Sequence, residues 1–503
     1  MTGPKNSEAI HEVRSAQGEA GLSRRSLLIG AGLGTLGAAT LLSGGPAPAQ
    51  NATTGGEFVI RRGILLTVDP DLGNIGNGDI HVRDGVIVAI GKDLAVPAGI
   101  EEIDASKMIV MPGMIDTHNH LWTTLMRNFF TDSFNYNNAK PAVIDHLLPS
   151  DFYASNMLAL AESLNTGVTT VHNFAHHIMS AETVEAELQA HADAGLRALM
   201  TPGRREGTPR DKMINLELID EFRKDWLERR GPFEKLGQML DYGINVRGPD
   251  VADEAVVNAE MQWAVEREMF IAMHGGTYQR GFSLVPLKER GYMSPKFLMV
   301  HHYLAEQEDR TAMAETGASL SFAALGGQGQ YRSGMQLMLM QRDGVNTSLS
   351  VDTGSFAPID AFLMMLTATK IGTPEAGSPT DGLPPVTDRD VVEMMTIRGA
   401  KALGMADRVG SLTVGKRADI IMIRADDLSV TPAPFGAIES VVARRARSVD
   451  TVIVDGRFMK RGGKIEGVDI GKVKDDVTRA THDLRARLGD KIPAPAADLT
   501  AYL

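Results

Sequence analysis

Three observations predict an α/β fold for this chain. Between residues 113 and 405, short apolar runs alternate with helical patterns, the texture of a parallel sheet covered by helices. Strand-and-turn texture without helices flanks that region on both sides, over 57–112 and 406–465. The chain has 503 residues, 43% of them hydrophobic, which suffices for one large domain and a smaller one.

Residues 1–49 are set apart from the fold. Ser23-Arg24-Arg25-Ser26-Leu27-Leu28 leads into the soft apolar stretch Leu27 to Leu42, followed by Ala47-Pro48-Ala49. A polar leader, an apolar region and a small-residue cleavage site read as a secretory signal, and the paired arginines resemble the twin-arginine type. The expected location is therefore exported, periplasmic or secreted. A membrane anchor is the alternative, but the stretch is glycine-rich and shorter than the ~20 residues a spanning helix needs. No other segment is a candidate span.

The small β-domain begins with Phe58-Val59-Ile60, Gly63 to Val68 and Gly78 to Val82. Asp84-Gly85 then signals a hairpin into Val86 to Gly91. Similar texture returns in Gly415 to Ile423 and Val449 to Arg457. The inserted region offers eight strands, at 109–117, 167–173, 197–202, 244–248, 270–274, 297–302, 319–323 and 346–352. Helices are expected at Ala181 to Ala194, Ala252 to Glu268 and Glu306 to Thr316. This pattern predicts a (β/α)8 TIM barrel inserted into a small β-sandwich domain formed by both termini. A doubly wound open sheet is the alternative, although no glycine-rich phosphate fingerprint supports it. Residues 466–503 form a C-terminal helical extension, with a helix over Val473 to Leu488.

A formal net charge of -12 argues against nucleic acid as a partner, which needs a basic footprint. With no cysteine there are no disulfides and no thiolate metal site. Any metal must be held by histidine and carboxylate. A small-molecule substrate is the expected partner, and a homo-oligomer is left open.

His118-Asn119-His120 ends the first barrel strand. Residues i and i+2 of a strand share a face, so both imidazoles can reach one cation. Taken alone, the tripeptide reads equally as two polar residues in a loop. Functional groups of a barrel belong at the carboxyl ends of its strands. The fifth strand ends in His274-Gly275-Gly276, the sixth in His301-His302 and the eighth in Asp352-Thr353-Gly354. Of 13 histidines in the chain, five fall at these ends.

Val110 to His120 resembles the first-strand signature of the amidohydrolase superfamily. Gly167-Val168-Thr169-Thr170-Val171 and the closing pattern Ala400 to Gly404 through Gly410 to Asp419 extend the likeness over nearly the whole chain beyond the leader. That closing pattern is close to what cytosine-deaminase-like and triazine-hydrolase-like members carry, a group related to imidazolonepropionase. The resemblance implies a mononuclear site with His118, His120, His274 and Asp352 as ligands. His301 would contact the metal-bound water or the substrate. The divalent ion would be zinc, with iron as the alternative. Such an ion lowers the pKa of bound water toward 7. Asp352 would then accept a proton from that water and deliver it to the leaving nitrogen. His302, pointing the other way along its strand, is the weaker catalytic candidate.

Deaminases of this group carry a glutamate three residues after the fifth-strand histidine, where this chain has Thr277. Losing a positioned proton donor costs about 10²–10⁴-fold. The sequence therefore favours hydrolysis of a small cyclic or aryl amide, urea or carbamate over deamination or dehalogenation of a heteroaromatic ring. A non-catalytic binding protein on the same fold is a third reading. Further substrate-binding candidates are His172 and His177 after the second strand, Arg247 at the end of the fourth, and Trp122. Arg247 would grip a carboxylate or carbonyl, or else pair with a barrel-helix acid. Trp122 with Met126 to Phe134 would form an apolar lid.

Overall fold

The structure is a computed structural model that describes residues 56–130, 135–228, 237, 239–276, 282–326, 330–432 and 437–493. The leader at 1–49 and Thr277 lie outside the described residues. Five strands come first: β1 Phe58–Leu65, β2 Ile75–Arg83, β3 Val86–Gly91, β4 Glu101–Asp104 and β5 Met108–Pro112. The central region holds β6 Met114–Asn119, β7 Val168–Asn173, β8 Arg197–Met200, β9 Leu240–Tyr242, β10 Ile244–Arg247, β11 Ile271–Gly275, β12 Phe297–His301, β13 Ser319–Ala323 and β14 Asn346–Ser350. The last four are β15 Ile420–Arg424, β16 Thr451–Val454, β17 Arg457–Arg461 and β18 Lys464–Ile465.

Strands from both ends of the chain make one nine-stranded sheet in the order β18-β17-β16-β15-β5-β1-β2-β3, with β4 paired to β1. The two ends meet where β5 runs antiparallel to β15, Met111 opposite Ile421. The β2–β3 hairpin turns on Asp84 (φ 51°) and Gly85 (φ 74°), the left-handed pair a type I′ turn requires. The runs at 58–60 and 63–68, expected as separate strands, are joined in β1. Its pairing with β2 shifts register around Gly63, and Arg62 takes φ 62°.

The expected first barrel strand, 109–117, is divided. β5 belongs to the terminal sheet and β6 to a parallel sheet, with Gly113 between them. The chain passes so close to β7 there that a Cβ on Gly113 would lie 2.1 Å from Thr169 Oγ1. The Gly113 amide donates to Asp419 on one side and the Met114 amide to Gly167 on the other, at 2.8 and 3.0 Å. Gly113 is the border between the two parts of the fold.

Two parallel sheets, β6-β7-β8-β9 and β10-β11-β12-β13-β14, carry the central region. They are joined twice. β9 and β10 are one extended segment bent at Gly243, where a Cβ would come 2.6 Å from the Phe270 carbonyl oxygen. β9 pairs with β8 and β10 with β11. At the other junction Asn119 bridges Asp352 in parallel. There the Asp352 amide donates to the His118 carbonyl at 2.9 Å, and the His120 amide to the Asp352 carbonyl at 2.7 Å.

The helices follow their amphipathic patterns closely: Ala181–Ala194, Glu254–Glu266, Gln307–Thr316 and Ile470–Leu488. Gly195 and Gly317 end two of them in left-handed conformation, φ 68° and 72°. Leu484 and Leu488 of the last helix share an apolar cluster with Trp122 and Phe152, so the C-terminal extension supports the turn that follows His120. Among the described residues, no helix is long and apolar enough to cross a membrane.

Candidate metal centre

His118, His120, His274 and Asp352 converge at the ends of β6, β11 and β14. One ligand atom from each lies within 4.8 Å of the others. Asp352 Oδ1 is 3.3 Å from His118 Nε2 and 3.6 Å from His120 Nε2. Asp116 organises this edge from behind. Its carboxylate accepts from the amides of Val351 (3.0 Å) and His118 (3.3 Å) and from Asn119 Nδ2 (2.9 Å).

The donor set suits a cation on three counts. Both ring nitrogens of His118 are buried without a hydrogen-bond partner. His120 Nδ1 donates to the Phe174 carbonyl at 3.2 Å, which leaves the Nε2 lone pair free. Burial also pushes His118 down to about 3, and His120 and His274 well below the usual imidazole range, so all three rings are neutral ligands at physiological pH.

His301 faces the same carboxylate, its Nε2 3.9 Å from Asp352 Oδ1. The Tyr303 hydroxyl donates to the Ala323 carbonyl at 3.0 Å, so His301 Nδ1–H donates to the tyrosine oxygen at 3.1 Å. That chain of bonds sets the tautomer and aims an unprotonated Nε2 into the site. His301 and Asp352 hold φ 73° and 74°. Such left-handed backbone costs on the order of 1–3 kcal/mol at each position. The strain turns each side chain inward as its strand ends.

His120, His274, His301 and Asp352 line a cavity of about 200 Å³, with His118 enclosed behind them. Arg247 borders it, but the guanidinium is already engaged: Nη2 meets Glu260 Oε1 at 2.7 Å and Nη1 the Pro209 carbonyl at 2.9 Å. Only Nε is without a partner. His172 lies behind the site, bonded to the Thr117 carbonyl (2.7 Å) and Thr201 Oγ1 (2.9 Å). His177 donates from Nε2 to the Ile144 carbonyl (3.0 Å) and accepts the Glu206 amide (3.1 Å). Trp122 stacks on it, centroids 5.6 Å apart. None of these three is among the cavity-lining residues. His302 turns away toward Asp309, 3.3 Å distant.

Sequence reasoning passed over His176, Lys140, Arg204, Asn245 and Asp250, which do border the cavity. His176 stands edge-on to His120 with centroids 4.3 Å apart, and its Nε2 is 3.5 Å from Glu206 Oε2. Lys140 reaches the same carboxylate oxygen at 3.2 Å. His176, Arg204 and Asp250 sit in loops beyond the strand ends, Asn245 lies within β10 and Lys140 in the helix Tyr136–Val143, and no shared periodicity marks them. The nearest signal was the run His172 to His177, in which Phe174 and His176 line the cavity.

Fold and site together define an α/β protein with a candidate four-ligand metal centre at its strand ends. The model of the amidohydrolase family matches residues 109–459, and the chain belongs to that family. It is a hydrolase acting on carbon–nitrogen bonds other than peptide bonds. A 5'-deoxyadenosine deaminase of Methanosarcina barkeri is 27% identical over 447 residues, covering 86% of this chain and 99% of the relative. A 5-methylthioadenosine/S-adenosylhomocysteine deaminase of Desulforudis audaxviator is 28% identical over 418 residues, 80% of this chain and 94% of the relative. Two solved structures share the fold. An adenosine deaminase from Xanthomonas campestris with bound zinc has a TM-score of 0.72 at 20% identity, covering 86% of this chain and 99% of that one. Atrazine chlorohydrolase from Arthrobacter aurescens, also with zinc, has a TM-score of 0.70 at 18% identity, covering 84% and 100%.

Proposed function

We propose that this protein is a zinc-dependent aminohydrolase that releases ammonia from an aminated heteroaromatic ring. The single observation that carries the chemistry is the convergence of His118, His120, His274 and Asp352 beneath a cavity into which His301 aims an unprotonated nitrogen. The two junctions between the parallel sheets are read as closing a (β/α)8 barrel, with the terminal sheet as its β-sandwich companion. The deaminase relatives, aligned over most of their length, favour a ring amine over an amide as the substrate.

His118, His120, His274 and Asp352 would hold a divalent cation, which would supply Lewis acidity for activating water at neutral pH. Asp352 accepts a proton from the attacking water, its other oxygen remaining for the ligand set. His301 Nε2, fixed by Tyr303, orients the water or the substrate. The buried cavity floor keeps competing solvent away.

Amide, urea or carbamate hydrolysis is the second reading, and Thr277 in place of an acidic residue favours it. Product analysis separates the two. The purified protein, loaded with zinc, is assayed against 5'-deoxyadenosine, 5-methylthioadenosine, S-adenosylhomocysteine and aminotriazines, and in parallel against aryl amides, ureas and carbamates. Ammonia with a ring-hydroxylated product supports the aminohydrolase; an amine plus an acid supports the second reading. Residues 1–49 are proposed as a twin-arginine export signal, so exchange of Arg24 and Arg25 for lysine should abolish export of the folded protein in a cell-fractionation assay.

A further inference from the structure

Among the described residues, two carboxylates line the cavity, and only one of them belongs to the metal cluster. The other is Asp250, just beyond β10. Its Oδ1 is buried and has no hydrogen-bond partner. The carboxylate lies against bare backbone: a Cβ on Gly248 would come 2.7 Å from Oδ1, and one on Gly275 would come 3.2 Å from both oxygens. Gly275 directly follows the ligand His274, so the carboxylate stands beside the end of β11.

The surrounding loop is also held by its backbone carbonyls. Arg210 donates to the carbonyls of Asp250 (2.6 Å), Pro249 (3.1 Å) and Ala252 (3.1 Å). It clamps the backbone and leaves the side chain without a structural ion pair. A buried carboxyl oxygen without a partner costs free energy unless something meets it there. Asp250 also borders the cavity, where a bound substrate would sit.

We propose that Asp250 is a catalytic acid of this site, handing a proton to the nitrogen that leaves the ring. The assignment rests on the aminohydrolase reading. The oxygen of water bonds to the amine-bearing carbon while one water proton passes to Asp352. The carboxyl of Asp250 then protonates the amino nitrogen, the carbon–nitrogen bond breaks, and its electron pair departs with ammonia. Asp250, now a carboxylate, recovers the proton held by Asp352 through solvent. One water is consumed and one ammonia released, with the hydroxyl left on the ring. Burial supports this role by raising the Asp250 carboxyl above its ordinary range, against the opposing pull of its own amide, the Gly276 amide, Arg204 and Arg210.

The test uses the zinc-loaded enzyme and a pair of purine nucleosides that carry amino or chloro at the same ring carbon. Chloride leaves without a proton, whereas an amine needs one. Asp250→Asn is expected to lower kcat for ammonia release by about 10²–10⁴-fold and chloride release by less than about tenfold. Zinc content and affinity for the hydroxylated product should match the unaltered enzyme. Asp250→Glu, which keeps the acid, should recover part of the ammonia-release rate and covers the case in which the asparagine variant folds poorly. Equal losses on both nucleosides, an ammonia-release rate within about threefold of the unaltered enzyme, or lost zinc would each overturn the assignment. An unaltered enzyme that releases ammonia from no ring overturns the aminohydrolase reading itself, and the Asp250 assignment with it.

Discussion

His118 is fully enclosed, yet neither of its ring nitrogens meets a hydrogen-bond partner. Leaving such a group buried and unsatisfied costs roughly 1–3 kcal/mol, which a coordinated cation would offset. His118→Ala should therefore hold less than about one-tenth of an equivalent of zinc and lose at least about 10²-fold in activity, while circular dichroism shows the fold retained. Metal analysis by plasma emission checks the first outcome. Glu187 gives a separate prediction away from the site. It accepts from Asn173 Nδ2 at 2.6 Å and Asn156 Nδ2 at 3.2 Å, and burial raises its carboxyl from 4.5 to about 7. Between those values the folded protein holds a proton that the unfolded chain has released. Its contribution to stability is thus complete below 4.5 and declines as pH rises through about 7. Urea unfolding between pH 5.5 and 8 should show this decline, with a limiting slope of about 1.4 kcal/mol per pH unit, and Glu187→Gln should remove it.

Strand ends, more than strand bodies, do the positioning. β12 was legible in the sequence as an apolar run because buried parallel strands must be apolar on both faces, whereas β6 and β14 carry polar or hydroxyl side chains over most of their length. Their last residues were legible as polar. The left-handed backbone at His301 and Asp352 was not, since nothing in the local sequence asks a residue with a Cβ to adopt it. The break at Gly113 was also hidden, because an apolar stretch reads as one strand whether or not it changes sheets. Its cause lies on the neighbouring strand: Thr169 leaves no room for a Cβ. Gly113→Ala should destabilise the protein by about 1–3 kcal/mol through overpacking, measurable as a fall in the thermal or urea midpoint, and a compensating Thr169→Ser should recover part of the loss.

The terminal sheet is tied to the central sheets by a buried ion triad. Arg197 at the start of β8 donates from Nε to Asp419 Oδ2 at 2.8 Å and from Nη2 to Asp455 Oδ1 at 3.0 Å. Asp419 also accepts the Asp455 amide at 2.8 Å. Asp455 would keep its pair with Arg417 at 2.5 Å, but Arg197→Met would leave the Asp419 carboxylate buried without its ion pair, at a cost of about 3–5 kcal/mol. Unfolding of that variant should shift to markedly lower denaturant. In the Arg197→Met/Asp419→Asn double variant the loss should be smaller than the sum of the single losses, as a double-mutant cycle would show. The same carboxylate belongs to the closing pattern around Gly415 to Asp419, so this part of the family resemblance has a structural meaning: it is where the chain returns from the central sheets to the terminal one.

Chain order and residue type were enough to identify the α/β class, the two-ended terminal sheet, and the histidines and aspartate that gather at the strand ends. Strand periodicity and the need to bury apolar faces impose those features locally. They could not tell which loop side chains reach the cavity. Arg247 was a fair candidate until its guanidinium was found facing Glu260, and His172 until both its nitrogens were found bonded. Asp250 carried no motif at all. Its place depends on two glycines from different strands and on an arginine clamp contributed by a loop 40 residues away. Contacts of that kind exist only once distant segments pack together, which is why the metal ligands could be read along the chain and the acid beside them could not.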